Sequence, residues 1–539
     1  MESKEFSLDN LDISTTIELN SIANQICKKW VLSYELFLKS NDLLTNLDFN
    51  VLHPENTLLE RICKIRLASI KSKKNYIITT SDRCIYKSLV RNNIPCKKND
   101  NIKLFKNLLS ILKKVRLSLI ILLDVFSSII IYFFSNEIRK KISNKKIFLY
   151  DIFILKNSII TGDFKDRWYT GFDFNKVNFQ SYYVPTILES PIKKIVHHFK
   201  STYINNRILI KDNFIKPLDH LAIIYSFFIK QAPKNISFNI IDLDIQDIVL
   251  NELKKSKYCI SRYRSKKNRY FFEQLKNINC DLRVIEWNEN QIIDKTFCYY
   301  FKKYFHNDNI ISVRPFSQSK HLLNLFITNY DIENHLCSNR VYNTSVGMQT
   351  FVPIHLRKSK YLIPYNRRSK IDLGSHIPSK NKNILVVLPL DIDRSNKIID
   401  HLKHLENNFN IKIRPHPSNY FYFKKNITND LIIINNDKEF NESIKASNLV
   451  ISSSSSFVLE AIELKKKIII IAGNGDLFKI PLLDQLDKSS LKISLSTKQT
   501  NEFVNYFMNS YEKTSHKTDS AIMQEQGVIN PNIFFDFCN

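Results

Sequence analysis

The chain has 539 residues, of which 44% are hydrophobic and 24% are charged. This length and this apolar content exclude an intrinsically disordered protein and leave room for two large domains. Lys and Arg outnumber Asp and Glu by 79 to 52, which gives a formal net charge of +27. The basic residues are spread along the chain without a nucleic-acid-binding module, and the abundance of Lys, Asn and Ile is typical of an AT-rich gene, so we expect no nucleic-acid partner.

Nine cysteines are scattered along the chain without a CxxC or zinc-binding spacing. This pattern favours reduced thiols in a reducing compartment. The first residues, MESKEFSLDNLD, are polar and do not resemble a signal peptide, so we expect a cytoplasmic location. Asp242-Leu243-Asp244 and Asp391-Ile392-Asp393 match the letters of a D-x-D motif, but neither is placed in a way that suggests a bound metal.

The N-terminal region predicts helices followed by a strand–helix unit. Residues 1–70 look mostly helical, and Ile17–Leu38 carries apolar residues at helical spacing. Tyr76–Thr80 predicts a short strand, and Ser81-Asp82 can cap a helix over Arg83–Asn92. A strand followed by a helix suggests the first unit of a Rossmann-like N-terminal domain, which we place at residues 1–355.

Leu117–Phe134 is an apolar run of eighteen residues that Asp124 interrupts and basic residues flank. A helix that spans a bilayer needs about twenty apolar residues, and the sequence after Lys146 returns at once to a soluble strand pattern. A helical hairpin lying on the membrane, with its basic ends at the lipid headgroups, fits better. A buried core helix with Asp124 at a polar edge and a spanning helix stay open. The predicted insertion covers about residues 101–141.

Polar clusters follow two predicted strands of the N-terminal domain. Lys146–Leu155 predicts a strand, and a Gly-Asp-x-x-Asp-Arg-Trp-Tyr cluster follows at residues 162–169. Asp281–Trp287 predicts another strand, and its carboxyl end leads into two further acids. The candidate general bases are, in order of preference, Glu289 and Asp294, then Asp163 and Asp166. A solvated loop anchored by Trp168 and a helix-start charge at Glu289 are the structural alternatives.

The C-terminal part is organised around Ile411–Gly475. Leu449–Ile451 and Ile468–Ala472 predict short buried strands, and a helical pattern over Phe457–Leu464 connects them. Strand, helix and strand in so short a stretch form a βαβ unit, so the sheet should be parallel. The predicted boundaries are a linker at 356–382, a C-terminal Rossmann-like domain at 383–500, and a terminal helix and tail at 501–539 that packs back toward the N-terminal domain.

Polar side chains follow two strands of this part. Arg414 and His416 come after the strand Ile411–Ile413, and five serines, Ser452–Ser456, come after the strand Leu449–Ile451. Serines between a strand end and a helix start offer hydroxyls, free backbone N–H groups and the positive end of a helix dipole. Ligands bind at the carboxyl ends of parallel strands, so we expect a phosphate between the serines and His416. The alternative is a plain helix cap, which needs one serine.

His416-Pro417 followed by the serine run resembles the HP and paired-serine motifs of GT-B glycosyltransferases that use cytidine-nucleotide donors. These are the bacterial sialyl-, polysialyl- and Kdo-type transferases, and teichoic-acid glycerophosphotransferases carry a similar arrangement. The resemblance covers roughly residues 383–480. It implies that the donor phosphate is held by His416, Ser453, Ser454, Ser455 and Ser456, and that Glu460 reaches the ribose. Arg414, at the same strand end as His416, can help to stabilise the leaving phosphate.

Three N-terminal segments resemble motifs of uncharacterised surface-carbohydrate biosynthesis proteins. They are residues 162–169, Glu289–Asp294 and Val346–Thr350. Ile293 and Asp294 stand where those proteins have Trp and Glu, and Met348 and Thr350 replace an aromatic residue and a histidine. The missing histidine points to an altered acceptor site or to lost activity.

Together the resemblances imply a GT-B fold, in which two Rossmann-like domains face each other across a cleft. They imply transfer of a sugar from a nucleotide-sugar donor, CMP-linked by first choice, to a growing surface glycan or a lipid-linked acceptor of capsule or lipopolysaccharide assembly. No metal and no cofactor are implied, and the protein would lie on the inner face of the cell membrane. A CDP-polyol phosphotransferase and a non-catalytic GT-B scaffold stay open as alternatives.

Overall fold

The protein is of the α/β class, and three of its sheets contain parallel strands only. The computed structural model describes residues 4–53, 56–99, 104–154, 179–187, 191–203, 208–234, 236–314, 319, 321–343, 382–405, 409–416, 419–426, 432–434, 437–453, 457–458, 461, 464, 466–479 and 489–509. These parallel sheets, together with the helices between their strands, confirm the α/β class that the sequence predicts.

The N-terminal region combines helices with a small parallel sheet in the order β1-β2-β3. The elements are β1 (Lys4–Ser7), α1 (Ile13–Lys39), α2 (Leu43–Asp48), α3 (Leu58–Ser72), β2 (Tyr76–Thr80), α4 (Arg83–Arg91) and β3 (Cys96–Lys98). Asp12 caps α1 by accepting a hydrogen bond from Thr15 N at 2.7 Å, and Asp82 caps α4 by accepting one from Cys84 N at 2.8 Å. The predicted helices, β2 and the Asp82 cap agree with the structure, whereas the prediction missed β1.

A five-stranded parallel sheet follows, in the order β10-β9-β8-β4-β5. Its strands are β4 (Lys146–Ile154), β5 (Gln180–Ile187), β8 (Asp281–Trp287), β9 (Ile310–Arg314) and β10 (Val341–Asn343), and a short antiparallel ribbon, β6 (Asn239–Ile240) and β7 (Leu243–Asp244), precedes β8. Numbered along the chain, the order is 5-4-3-1-2, which is the flavodoxin-like arrangement. The chain connections run toward opposite edges of the sheet on the two sides of the β4–β8 pair, in which Tyr150 lies opposite Ile285. The strand predicted over Lys146–Leu155 is observed as β4 up to Ile154, where this described range ends, and β8 matches the prediction.

Helices surround this sheet, and the first of them corresponds to the predicted insertion. They are α5 (Leu104–Phe133), α6 (Asn136–Ile142), α7 (Pro191–Tyr203), α8 (Pro217–Ile229), α9 (Gln246–Ser256), α10 (Ile260–Asn277), α11 (Ile292–Tyr304) and α12 (Asn329–Glu333), with single 3₁₀ turns at Lys211–Asn213, Asn307–Asn309 and Leu323–Leu325. Helix α5 is continuous, so the predicted hairpin is corrected to one long helix. One face of α5, which includes Ile121 and Ile131, is buried. On the opposite face, Leu119 and Leu122 are more than half exposed.

By length and composition, Ile111–Phe133 of α5 could cross a membrane, although 33% of its most apolar window is buried in the protein. One face of α5 therefore belongs to the core, as in the predicted core-helix alternative, whereas the predicted position at a membrane interface stays a prediction.

Asp124, at the middle of α5, belongs to a buried group of four charged side chains. Its carboxylate accepts hydrogen bonds from Lys194 Nζ at 2.7 Å and from Lys267 Nζ. Both lysines also contact Asp212 at 2.8 Å. Burial alone would raise the pKa of Asp124, but the charges of Lys194 and Lys267 outweigh it and hold that pKa below its usual range. The ion pairs of Asp124 with Lys194 and Lys267 therefore link α5 to α7 and α10.

The C-terminal part contains a six-stranded parallel sheet in the order β13-β12-β11-β14-β15-β16. Its strands are β11 (Asn383–Val387), β12 (Asn410–Arg414), β13 (Ile432–Ile433), β14 (Leu449–Ser452), β15 (Lys467–Ile471) and β16 (Leu491–Ser494), and its helices are α13 (Ile392–Leu402), α14 (Tyr420–Asn426), α15 (Asp437–Ala446) and α16 (Thr497–Asn509). Numbered along the chain, the order is 3-2-1-4-5-6, the Rossmann arrangement. Phe457, Val458 and Ala461 are helical, and β14 pairs in parallel with β15, so the predicted βαβ unit is confirmed.

Helix α16 packs on the six-stranded sheet itself. Val504 and Phe507 lie in the same core cluster as Ile451 and Ile469. The predicted packing of residues 501–539 toward the N-terminal domain therefore does not hold for α16. Residues 510–539, like the predicted linker up to residue 381, lie outside the described part of the chain.

Helix α1 connects the two halves of the molecule. Thr16 Oγ1 accepts a hydrogen bond from Gly475 N at 2.7 Å, and Asn20 Oδ1 accepts one from Phe478 N at 2.7 Å. Leu477 is buried in the N-terminal core cluster beside α1. The loop after β15 is therefore held directly by the first helix of the chain.

Candidate functional site

A cleft of about 630 Å³ lies between the carboxyl edge of the six-stranded sheet and the start of α1. One wall comes from the loop before α1, and the other from α13 and the segments that follow β14, β15 and β16. The lining residues are Asp9, Asn10, Leu11, Asp12, Arg394, Lys397, His401, Ser453, Ile471, Ala472, Gly473, Asn474, Asp476, Leu477 and Leu495. The carboxyl edge of a parallel sheet is where ligands of open α/β folds bind.

The strand order explains why this edge is open. From β11 the chain passes to β12 on one side, and it later returns to form β14 on the other side of β11. The connections that follow β11 and β14 therefore run toward opposite edges of the sheet, so the switch point lies between these two strands. Val387 lies opposite Ser452 in this pair, and Ser452 Oγ donates a hydrogen bond to Val387 O at 3.2 Å. Ser453, the next residue, therefore stands at the switch point.

The Ser453 hydroxyl is buried, with 3% of the residue exposed, and it lines the cleft. Among the residues that the structure describes, its Oγ has no hydrogen-bond partner. A buried hydroxyl without a partner costs free energy, so a ligand oxygen at this position would restore a lost bond. Ser453 is the predicted phosphate-binding residue that the structure places in the cleft.

Helix α13 presents a cationic face to the cleft. Arg394, Lys397 and His401 are spaced i, i+3 and i+7, which places them on one side of the helix. The helix starts directly after β11, and Asp391 caps it by accepting a hydrogen bond from Arg394 N at 3.1 Å. The positive end of the helix dipole adds to the two side-chain charges. This face is suited to an anion.

His401 contributes a neutral ring rather than a charge. Its Nδ1 lies 2.8 Å from Thr500 Oγ1 of α16, and burial lowers the pKa of the imidazole. Thr500 thereby fixes the ring orientation at the floor of the cleft.

The loop after β15 closes the far side of the cleft. Gly473 N donates a hydrogen bond to Asp476 Oδ2 at 2.8 Å. A Cβ added to Gly473 would lie 2.8 Å from that oxygen and 3.0 Å from Lys397 Nζ, so only glycine fits here without displacing either side chain. Lys397 therefore reaches across the cleft to the loop that follows β15.

The carboxylates of the opposite wall already have structural partners. Asp12 caps α1, and its hydrogen bonds with Thr15 and Ser14 lower the pKa of its carboxyl. Asp9 accepts a hydrogen bond from Ser81 N at 2.7 Å, which ties the loop before α1 to the end of β2. These two acids shape the wall of the cleft.

Arg414 and His416, the other described residues of the predicted phosphate site, follow β12, which lies on the opposite side of β11 from β14 and Ser453. Val387 lies opposite Arg414 on one side and opposite Ser452 on the other, so Arg414 and Ser452 are two strand spacings apart, about 10 Å. Arg414 donates a hydrogen bond to Ile434 O at 3.5 Å, and His416 is half-buried two residues later. Both follow β12 at the same edge of the sheet as Ser453, but neither lines the cleft.

Glu289 and Asp294, the preferred candidate bases, are engaged at the start of α11 and do not line the cleft. Asp294 is 2% exposed and accepts hydrogen bonds from Glu289 N at 2.8 Å and Gln291 N at 3.1 Å. Glu289 accepts from Trp287 Nε1 and from Gln291 Nε2. Carboxylates that cap a helix and carboxylates that act in catalysis both occur where a strand leads into a helix. The sequence pattern does not distinguish the two, which explains why it favoured Glu289 and Asp294 as candidate bases.

A pair of buried acids that the sequence did not indicate lies at the switch point of the five-stranded sheet. Asp151 and Glu286 follow the paired residues Tyr150 and Ile285, so they are neighbours on β4 and β8. Burial raises the pKa of Asp151 to about 6, and burial together with Asp294 raises the pKa of Glu286 well above its usual range. Ser312 Oγ donates a hydrogen bond to Glu286. Perturbed acids of this kind are frequent near functional sites but also occur in cores.

Several predicted residues lie outside the described part of the chain, and so do the Gly-Asp-x-x-Asp-Arg-Trp-Tyr cluster and Val346–Thr350. The predicted site residues concerned are Asp163, Asp166, Pro417, Ser454, Ser455, Ser456 and Glu460. Within the described residues, no group of three or more His, Cys, Asp or Glu side chains could hold a metal ion.

The sequence analysis missed Arg394, Lys397 and His401. Their spacing along a predicted helix that follows a predicted strand was a readable signal, because a cationic stripe at the start of such a helix is where an anion binds. The wall formed by residues 9–12 had no local signal, since it depends on the contact between α1 and the loop after β15.

No protein-family model matches the chain, and no curated protein sequence matches it. Three solved structures illustrate the similarities in fold. The UDP-GlcNAc 2-epimerase of Methanocaldococcus jannaschii, in complex with UDP-GlcNAc and UDP, is 10% identical over 70% of this chain and 96% of that chain, with a TM-score of 0.38. S. aureus MnaA with UDP is 11% identical over 72% and 92%, with a TM-score of 0.35. Anabaena Alr3699/HepE with UDP and glucose is 9% identical over 73% and 97%, with a TM-score of 0.34.

Proposed function

We propose that this protein is a GT-B glycosyltransferase that binds a nucleotide sugar in the cleft and transfers the sugar to a glycan or lipid-linked acceptor of surface-polysaccharide assembly. The observation that carries the proposal is the cationic face of α13 next to the buried Ser453 hydroxyl at the Rossmann switch point. Arg394 and Lys397 would bind the donor phosphates, and Ser453 would donate a hydrogen bond to a phosphate oxygen. Together they would stabilise the charge that develops on the leaving phosphate.

The motif order His416-Pro417 and Ser453–Ser456 makes cytidine nucleotides the first donors to test. The proposed phosphate site does not depend on the base, so the panel compares CMP, CDP, UDP and GDP by thermal shift. A nucleotide present at a hundred times its dissociation constant should stabilise the fold by about 2.7 kcal/mol. If none of the four shifts the melting temperature, the proposed donor site is wrong.

Turnover separates the proposed reaction from its alternatives. A glycosyltransferase releases free nucleotide from a nucleotide sugar only as sugar joins an acceptor, and the mass of the product distinguishes a transferred sugar from a transferred polyol phosphate. Nucleotide binding without turnover on any acceptor would favour the non-catalytic scaffold.

Two of the four candidate bases offer the sharper test of the chemistry. If Asp163 or Asp166 deprotonates the acceptor hydroxyl, replacing that residue with Asn should lower turnover and leave the nucleotide-induced thermal shift unchanged. Asp294→Asn should act differently, because Asp294 caps α11 and its loss should lower the melting temperature without nucleotide.

A further inference from the structure

Helices α5 and α8 pack against each other and leave large apolar side chains exposed. Helix α5 contacts α8 through Ile121, Val125, Ile223 and Phe227, which lie in one buried cluster. On its other side α5 contacts α7, where the rings of Phe134 and Phe199 meet at 5.3 Å. Helix α5 therefore packs against both α7 and α8.

The outward stripes of these helices are apolar at helical spacing. On α5, Leu119, Leu122 and Phe126 are 57%, 58% and 63% exposed, and on α8, Leu221 and Tyr225 are 60% and 67% exposed. Each stripe repeats every three or four residues, so it forms a continuous ridge. We call the exposed apolar side chains of α5 and α8 the apolar face. A patch of this kind marks an interaction site rather than an ordinary surface.

Positive charge borders the apolar face. Every side chain from Ile111 to Arg116 on α5 is exposed, and three of these six are Lys113, Lys114 and Arg116. Asp124 is the single acid in the α5 sequence, and it is paired with Lys194 and Lys267. Helix α5 therefore offers apolar side chains and cations, with its acid paired inside the protein, whereas the acid of α8, Asp219, accepts a hydrogen bond from Lys216 N at the start of that helix.

We propose that this protein docks on an anionic lipid bilayer through the apolar face, with α5 lying in the plane of the interface. Apolar ridges bordered by basic residues are the combination that binds such a surface. The basic border complements anionic headgroups, whereas a second copy of the same face presents the same basic residues and no acidic complement on α5. The proposal is independent of the proposed reaction, because none of these residues lines the cleft.

The buried charges decide between lying on the bilayer and crossing it. If α5 left the domain to span the membrane, Asp124 would enter the hydrocarbon, and Lys194 and Lys267 would lose half of their partners. A carboxylate that is ion-paired within the domain favours a helix that stays in the domain and exposes one side.

The test uses flotation of the full chain with vesicles of phosphatidylcholine, with and without phosphatidylglycerol. We expect the protein to float with the anionic vesicles and not with the neutral ones at low salt. The variant Leu119→Ser/Leu122→Ser/Phe126→Ser removes exposed apolar groups only and should abolish flotation. Ile121 is left in place, because it is 1% exposed and its loss would damage the core.

The matched control replaces three equally exposed apolar residues of α1. Ile17, Leu32 and Leu36 are 58%, 67% and 62% exposed, and their replacement by serine should leave flotation unchanged. Lys113→Gln/Arg116→Gln should weaken binding to anionic vesicles by about 25-fold, since each basic residue near such a surface is worth roughly a factor of five.

Several results would overturn the proposal. The first is that the wild-type protein does not float with anionic vesicles. The second is that the α5 serine variant floats as well as the α1 control. The third is that the wild type does not float but forms a concentration-dependent dimer, which the α5 variant does not form. Resistance of the cellular protein to alkaline carbonate extraction would establish a spanning helix instead. Should the α5 serine variant fail to fold, Leu221→Ser/Tyr225→Ser on α8 provides the same comparison.

Discussion

At the scale of single residues, two adjacent serines at the switch point have different surroundings. Ser452 Oγ donates to Val387 O, whereas Ser453 Oγ is buried without a partner within the described residues. Ser453→Ala should therefore raise the melting temperature of the free protein slightly, because it removes an unsatisfied hydroxyl. It should also weaken nucleotide binding by about tenfold or more, since a hydrogen bond to a charged oxygen contributes about 1.5–3 kcal/mol.

Ser452→Ala is the matched control for this prediction. It should lower stability by about 1 kcal/mol, through loss of the bond to Val387 O, and leave nucleotide affinity unchanged. Calorimetric titration with the best nucleotide of the panel, together with melting curves, measures both quantities. Equal effects of the two substitutions on affinity would contradict the role given to Ser453.

Lys397 is the second residue on which the site depends. It lines the cleft, and the Cβ geometry at Gly473 places its ammonium group close to the loop after β15. Lys397→Met should weaken nucleotide binding by roughly 10- to 150-fold, which corresponds to the loss of one charged hydrogen bond. Lys403→Met is the control, because Lys403 ends the same helix but is exposed and paired with Asp400 at 2.8 Å. A loss of affinity in both variants would indicate general electrostatics rather than a contact.

At the scale of an element, α5 shows how a long apolar helix can be built into an α/β domain. Asp124 binds Lys194 and Lys267, and removal of one partner from a buried ionic group costs about 3–5 kcal/mol. Asp124→Asn should therefore lower the free energy of unfolding by about that amount. Chemical denaturation measures it. Glu137→Gln on α6 serves as the control, since the pair that Glu137 forms with Lys140 is exposed to solvent.

The pH dependence of this difference has a definite sign. The folded-state pKa of Asp124 is depressed, so its contribution is fully present above the unfolded value of about 4 and is lost as the pH falls toward the folded value. The pKa of Lys267 is raised by Asp124 and Asp212 despite its burial, so the same contribution is lost only at strongly alkaline pH. The stability difference between wild type and Asp124→Asn should be constant from about pH 5 to 9 and shrink below about pH 4. A difference that grows on acidification would contradict the ion-paired assignment.

At the scale of the whole molecule, the contact between α1 and the loop after β15 couples the two halves. Asn20 is buried, accepts a hydrogen bond from Phe478 N, and donates to Asp476 O at 3.2 Å. Asn20→Ala should cost about 1–3 kcal/mol, because it leaves the buried Phe478 N–H without its partner. It should also weaken nucleotide binding, since the same loop lines the cleft. Melting and titration test both effects, and unchanged affinity would separate the loop from the site.

The sequence was sufficient for elements with a local signature. Runs such as Ile468–Ile471 and Val450–Ile451 are buried on both faces of a parallel sheet, and their apolar continuity is readable. The strand–serine–strand order also located Ser453 at the carboxyl edge. The order of strands within each sheet and the separate three-stranded sheet were not readable, because pairing between distant strands leaves no local pattern.

The candidate bases show a different limit. Glu289 and Asp294 follow a buried strand, and at the level of sequence a carboxylate that caps a helix looks the same as one that abstracts a proton. The deciding quantities are burial and hydrogen-bond partners, such as the Glu289 and Gln291 N–H groups bound to Asp294, and these exist only in the folded chain. The cationic stripe of α13 was readable in principle, since its spacing is helical.

The bond between Thr16 and Gly475 joins residues that are 459 positions apart. A ribosome that adds about 5–20 residues per second needs roughly 25–90 s to travel from one to the other. During that interval the start of α1 exists, but the loop that it must hold has not been synthesised. The cleft is therefore assembled only after the loop that follows β15 has been synthesised, and a nascent chain that has already folded its first sheet still lacks one of the walls of the cleft.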